Sequence, residues 1–294
     1  AWFFGGGLLP IRDVWAASPG TAGKMPGAKG FPHAGLFVLR SDDICLVADL
    51  GPIGQDGCGG HAHNDSLSFE LYGSGRTWIQ DPGTYVYTAD YAARNQFRST
   101  AYHNTVSAPG FEQNQIAARA LFRLADESIT RPVSWDVAPG SHTRLVGEFR
   151  RRRLPEFIHR RSFFLDECQR GVVITDRLTG AGPASRSCLH LAPGILAEPV
   201  EAPLRGVRLV EPRGETLWIL AASPDETRIE VDDGWISESY GSRCRGRVVS
   251  FGCGMPGDLK LVLVFSAEGR SVEERVAAML ASEAAILALH PGDG

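Results

Sequence analysis

Histidine and aspartate recur in one part of this chain at spacings suited to holding a metal ion or moving a proton. His61 and His63 lie two positions apart, Asp65 follows at the same interval, Asp81 stands in "WIQDPGTY" and His103 in "STAYHNTVSA". Neutral imidazole is a common metal ligand, and its charge changes near neutral pH, so it also serves as a general acid or base. Two ligands do not complete a zinc site, which takes three or four donors around a tetrahedron. Asp81, at the end of the next expected strand, and His103, at the start of the one after, are the candidates to complete it. Two imidazoles and one carboxylate leave a divalent ion with a single positive charge and an open position, suited to an anionic ligand. The same residue types near turns also satisfy backbone donors, and spacing alone leaves both readings open.

The elements that must position these residues read as strands. From Phe31 onward, short runs rich in Val, Ile, Leu, Phe and Thr ("GLFVLRS", "ICLVADL", "SLSFELYG", "RTWIQD") are broken by Gly, Pro, Asp and Asn at intervals of roughly ten residues. More than a dozen such runs follow one another, which predicts an all-β fold, a large antiparallel β-sandwich with solvated outer faces. If the strand around Leu67–Leu71 is regular as far back as His61, alternation puts His61, His63 and Asp65 on the side of Leu67, Phe69 and Leu71. Gly57, Gly59 and Gly60 would let the backbone approach closely there. Only the tail departs from the β rhythm. "SVEERVAAMLASEAAILALH" starts with Ser271 and Glu274 in capping-box spacing and continues with strong helix formers, which predicts a C-terminal helix. Residues 1–30 hold seven of the 34 glycines and three of the 18 prolines and read as a linker or wrapped arm. The sandwich is thus expected over residues 31–268, and the helix and tail over 269–294.

Composition narrows the function. A formal net charge of −4 offers no general basic field for nucleic acid. No apolar run approaches the roughly 18 to 20 residues needed to cross a bilayer. The dense basic group Arg150–Arg153 with Arg160 and Arg161 either meets an anionic ligand or, as alternation favours, places several of its members on a solvated outer face, with Glu148, Glu156, Asp166 and Glu167 near enough to neutralise it. Six cysteines contain no C-x-x-C pair; Cys244 and Cys253 are candidates to face each other across a hairpin, or all six are small buried hydrophobes.

The segment "GGHAHNDSLSFELYGSGRTWIQDPGTYVY", followed by "FRSTAYHNTV", resembles the heparinase II/III-like family of polysaccharide lyases, whose C-terminal β-sandwich carries "H-x-H-x-D", "DPG" and "HNT" segments in that order. The motifs cover Gly59 to Val106, and the β-rich remainder fits the family sandwich without adding specific motifs. The resemblance implies zinc on His63, Asp81 and His103, shaping the site more than attacking, with His61 as the catalytic histidine at the cleft. Arg98 and Asn104 then become candidate substrate-orienting donors, or donors to nearby loops. Family members cleave uronic-acid polysaccharides by β-elimination and carry an N-terminal α/α-toroid that supplies a catalytic tyrosine and an Asn or His. This chain reads as the C-terminal portion of such a protein, weak or inactive alone, although Tyr85, Tyr87, Tyr91 and Tyr102 lie among the motifs. The resemblance further implies an acidic polysaccharide as partner, a periplasmic or secreted location and a homodimer. Two other readings compete: a non-catalytic carbohydrate-binding or structural module of a polysaccharide synthesis or export system, and a metal-dependent hydrolase or cupin-like enzyme. The last lacks a well-placed glutamate, since alternation points Glu70 away from His61 and His63.

Overall fold

The computed structural model describes residues 27–289 apart from 181–183, 203, 223–226, 255 and 267–268, so most of the expected N-terminal arm and the last five residues lie outside the described residues. In chain order the described elements are β1 (Lys29–Phe31), β2 (Leu36–Arg40), β3 (Ile44–Asp49), β4 (Phe69–Gly73), β5 (Arg76–Ile79), α1 (Tyr91–Phe97) and β6 (Val106–Ser107). The long strands β7 (Ser128–Ala138), β8 (His142–Arg151), β9 (Leu154–Asp166) and β10 (Gly171–Thr179) follow. Then come β11 (Ser185–His190), β12 (Leu196–Val200), β13 (Gly206–Val210) and β14 (Thr216–Ala221). The chain closes with β15 (Ile229–Ser239), β16 (Ser242–Cys253), β17 (Gly257–Phe265) and α2 (Val272–Leu289).

Every strand pair is antiparallel, as the short, turn-punctuated runs predict. Strands β1 to β5 form one sheet in sequential order, a second has the order β12-β13-β14-β17-β10-β9-β8-β7, and a third runs β15-β16-β11-β6. The first and third sheets meet edge to edge: Ile79 bridges Leu191, Gln80 N donates to His190 O at 3.0 Å, and Ala192 N to Trp78 O at 3.0 Å. Together they oppose the eight-stranded sheet across one core, to which Phe37 and Leu46, Phe163 and Leu263, and Leu189 and Phe251 contribute from the three sheets. Contact there is close enough that a Cβ at Gly73 would lie 2.2 Å from the Phe265 ring, so glycine is required at the end of β4.

The outer face of the eight-stranded sheet is not wholly solvated, contrary to the expectation from alternation. Helix α2 covers it, with Val276 and Met279 packing on Phe164, Val173, Val262 and Val264. Its start is the expected capping box: Ser271 N donates to Glu274 Oε2 at 3.1 Å, and Glu274 N to Ser271 Oγ at 3.2 Å. A second helix, α1, interrupts the β rhythm between Asp81 and His103; Asp90 caps it by accepting from Ala93 N at 2.9 Å. All six cysteines are free, and Cys244 and Cys253 lie on the same strand, β16, so they do not face each other across a hairpin. Cys45, Cys188 and Cys253 are buried, while Cys58, Cys168 and Cys244 are exposed. Of the basic group, Arg151, Arg152 and Arg160 are partly exposed and paired with Glu127, Asp126 and Glu148, but Arg161 is fully buried.

Candidate active site and metal centre

The site lies where the first and third sheets join, and it is built from loop residues at strand ends. Strand β4 begins only at Phe69, so His61 to Ser68 is irregular rather than extended; Leu67 takes φ +61 and Ser68 N turns back onto Asp65 O at 2.9 Å. Alternation therefore fails for the histidine pair, and His61 and His63 end in different environments. Asn64, between them, is buried and donates to Glu112 Oε2 at 2.7 Å and Asn114 O at 2.8 Å, which fixes the loop. The "DPG" turn is fixed as firmly. Gly83 N donates to Asp81 Oδ1 at 2.8 Å, Gly83 takes φ +81, and a Cβ there would lie 2.3 Å from Ser237 O. Ser237 N in turn donates to Pro82 O at 2.8 Å and Gly241 N to Tyr85 O at 2.8 Å, so the end of the β15–β16 hairpin is docked on this segment.

These constraints bring His63, Asp65 and His103 together, with ligand atoms all within 4.8 Å of one another. Asp81, expected as the third ligand, lies behind His103: its Oδ2 is 2.6 Å from His103 Nδ1. The two groups hold each other charged. Burial works against charge on His103, yet the Asp81 carboxylate beside it raises its pKa above the usual histidine value. Burial likewise works upward on Asp81, but His103 holds it down at about 2. The other nitrogen, His103 Nε2, is buried with no hydrogen-bond partner. A carboxylate on one ring nitrogen and an unpartnered, buried second nitrogen is the arrangement of a metal-ligating histidine.

The remaining donors fit a cation as well. His63 is kept neutral by burial, reinforced by His103 and by Arg94, so its pKa falls well below the ordinary value. Arg94 Nη1 lies 2.7 Å from His63 Nε2, and because arginine only donates, that nitrogen presents its lone pair to a positive charge. Arg94 is itself buried, its Nε and Nη2 have no partner, and burial followed by the Arg98 charge lowers its pKa to about 10. Burial raises Asp65 to about 6, His103 opposing, and raises Glu70 to about 7 and Asp49 well above the carboxylate range. Carboxyl groups crowded in this way gain from a cation among them. The donor set, two imidazoles and carboxylate, suits zinc chemistry.

His61 is exposed and stands outside this cluster, edge-on to Tyr87 at 5.6 Å and to Phe122 at 5.9 Å between ring centroids. Tyr240 from the β15–β16 turn stacks on Tyr87 at 5.6 Å, which completes an aromatic rim. Arg98 and Asn104, the expected substrate donors, have other tasks. Both are fully buried. Arg98 donates to the carbonyls of Ala120, Leu121 and Arg123 and to Asn95 Oδ1. Asn104 donates to Phe69 O at 2.9 Å and Gln80 O at 3.1 Å and accepts from His190 N at 2.7 Å, so it staples β4, the end of β5 and β11 together.

Four residues outside the expected site set shape the site. Asp65 joins the metal group. Arg94 sits one helical turn before Arg98, on the same side of α1. His190 is buried beside Asn104 and kept neutral, burial lowering its pKa to about 3. Arg161 spends its guanidinium on five contacts: Asp176 Oδ1 at 2.6 Å and Oδ2 at 2.8 Å, Ser187 Oγ at 2.9 Å, Leu67 O at 2.9 Å and Asn104 O at 2.6 Å. It thereby ties β9, β10 and β11 to the backbone on either side of the metal group. Alternation could have found it, because Arg161 has the parity of Phe157, Phe163 and Leu165, all buried.

Residues 23–271 match the family described as "Heparinase II/III-like, C-terminal". A heparin-sulfate lyase of Bacteroides stercoris is 28% identical over 248 residues, covering 81% of this chain and 34% of that protein. A heparin-sulfate lyase of Pedobacter heparinus is 32% identical over 113 residues, covering 35% of this chain and 16% of that protein. The chain thus spans about a third or less of the length of these relatives. The crystal structure of a heparan sulfate lyase from Pedobacter heparinus shares the fold with a TM-score of 0.69 at 19% identity, covering 89% of this chain and 41% of that one. A heparinase III structure matches with a TM-score of 0.67 at 23% identity over 87% of this chain and 38% of that one.

Proposed function

Because the chain belongs to the heparinase II/III-like family through its C-terminal domain, we propose that it is the site-bearing C-terminal part of a polysaccharide lyase that cleaves uronic-acid glycans by β-elimination. The observation that carries this reading is the convergence of the three motif segments. His63 and Asp65, Asp81, and His103 come from separate loops to one buried group, while His61 stands exposed at its edge.

The chemistry makes three demands. The proton at C5 of a uronate is weakly acidic, so the neighbouring carboxylate must be neutralised while charge develops. A base must take that proton, and an acid must protonate the departing glycosidic oxygen. His61, exposed between Tyr87 and Phe122, is free to exchange protons with substrate, and we assign it one of the two transfers. The other transfer falls to a group of the N-terminal α/α-toroid of the whole protein, which leaves this chain weak or inactive alone. His63 and His103 would hold a zinc ion. Asp65 completes the donor set as it stands, and Asp81 completes it where the Asp81–His103 hydrogen bond opens. When bound, the ion supplies positive charge toward an anionic substrate and ties the loop ends together. Asp81 orients His103 from behind, and Arg161 and the Asn104 side chain fix the backbone that follows it. The relatives' described activity on heparin sulfate and the family assignment support an acidic glycan substrate and a periplasmic or secreted location. Among the described residues no helix is long and apolar enough to cross a membrane.

The direct test is the unsaturated uronate product, which absorbs in the ultraviolet, formed from heparan sulfate or alginate by the whole protein. Product is expected, and His61→Ala is expected to abolish it at unchanged fold. Glycan binding without product would instead make this a carbohydrate-binding module.

A further inference from the structure

The outer face of the β15–β16 hairpin carries a group of residues that the family motifs do not include. Trp235 on β15 faces Arg245 directly across the ladder, and Arg243 lies diagonally. Both guanidiniums rest on the same indole, each 4.3 Å from its ring centroid, and Arg243 also lies 4.7 Å over the Tyr85 ring. Both arginines are exposed. Among the described residues neither has a carboxylate within ion-pair distance, although Arg247, on the same strand, is paired with Asp233.

Stacking on an aromatic face fixes the plane of a guanidinium and leaves its N–H donors pointing outward along the edge, where they match the two oxygens of a carboxylate or sulfate. Two like charges on one ring repel, and an anion between them relieves that repulsion. The position is continuous with the active site. Tyr240, 63% exposed at the turn of the same hairpin, stacks on Tyr87, which contacts His61. Backbone hydrogen bonds from Ser237 and Gly241 to Pro82 and Tyr85 hold the hairpin against the "DPG" segment, so the two surfaces are fixed relative to each other.

We propose that Arg243 and Arg245, with Tyr240 as a stacking platform, form an anion-binding subsite for a sugar carboxylate or sulfate several residues along the glycan from the bond at His61. The inference rests on the lyase reading and adds to it a specificity surface. Its test is binding of this chain to heparan sulfate oligosaccharides, to alginate oligosaccharides and to a neutral glucan of equal length.

The wild-type chain is expected to bind one or both acidic glycans and not the neutral one, with affinity falling as salt rises. Arg243→Gln is expected to weaken binding about tenfold, the scale of one charge-assisted hydrogen-bonded contact. Arg243→Lys, which keeps the charge but loses the stacked fork, falls between. Weakening for heparan sulfate alone identifies sulfate as the anion, and weakening for both glycans identifies the carboxylate. Unchanged affinity in the Arg243→Gln/Arg245→Gln double variant, or no acidic-glycan binding by the folded wild type, overturns the subsite. The lyase reading is judged separately by the response of product formation to His61→Ala, a residue this subsite does not include.

Discussion

The floor and the rim of this site are built on opposite principles. On the floor, Arg161, Asn104 and Arg98 are fully buried and commit their donors to backbone carbonyls and to Asp176, Ser187 and Asn95. On the rim, His61, Tyr240, Arg243 and Arg245 are exposed and make ring contacts more than hydrogen bonds. A buried polar group without partners costs several kilocalories, so these three side chains are satisfied internally and have nothing left for a ligand. The rim is solvated and its groups stay available, which is why the proposed glycan contacts are placed there.

The contrast is broken most forcefully at Arg161. Arg161→Met leaves Asp176 buried against a neutral His159, whose pKa burial lowers. The expected loss is about 3–5 kcal/mol in denaturant unfolding, the scale for removing one partner of a buried ion pair. A rim substitution such as Tyr240→Ala should do nothing comparable.

Next in size is the Asp81–His103 pair. Asp81 has its folded pKa depressed to about 2, so its contribution is present above the unfolded value and is lost as pH falls toward 2. His103 has its folded pKa raised, so its contribution is present below its unfolded value and is lost as pH rises through the folded one. The pair is thus worth most between about pH 4 and 6.5, by about 2 kcal/mol. Asp81→Asn should lower that plateau in the metal-free chain and remove the pair's share of the falls on either side of it, as followed by thermal unfolding at stepped pH.

A smaller effect concerns metal affinity. Asp65 titrates at about 6, and a ligand must lose its proton before it binds a cation. Affinity should therefore fall as pH drops below 6, by about tenfold per pH unit for each proton displaced. Competition with a chromophoric chelator at pH 5, 6 and 7 measures that slope, and Asp65→Asn should reduce it by one proton if Asp65 is the carboxylate ligand. Smallest of all, Tyr240→Ala should change stability by less than about 0.5 kcal/mol, as expected for an exposed side chain, while weakening glycan binding.

Much of this was legible in the sequence, for identifiable reasons. Hydrophobic alternation with regular turn residues reports antiparallel strands directly, and Ser271 and Glu274 report the start of α2 through their side-chain chemistry. The motif histidines were legible because strand ends gather at one junction of the sheets. The failures came where a residue's direction depends on an element too short to show a period. Helix α1 has seven residues, too few for a periodic pattern to show that Arg94 lies one turn before Arg98. Alternation carried back through His61 puts His61 and His63 on one side, but β4 starts at Phe69 and the irregular stretch before it leaves them in different environments. Arg243 and Arg245 are ordinary outward positions of a hairpin; only the docking of that hairpin on Pro82 and Tyr85 brings them to the site.

In the proposed function, separate loops build one cation-holding site beneath an exposed catalytic histidine. Elemental analysis of the purified chain tests it most directly, set beside His63→Ala, His103→Ala and His61→Ala. About one zinc per chain is expected in the wild type and in His61→Ala, with a loss of nearly all of it in the other two. Equal zinc in all four proteins, or none in the wild type after exposure to the ion, would contradict it.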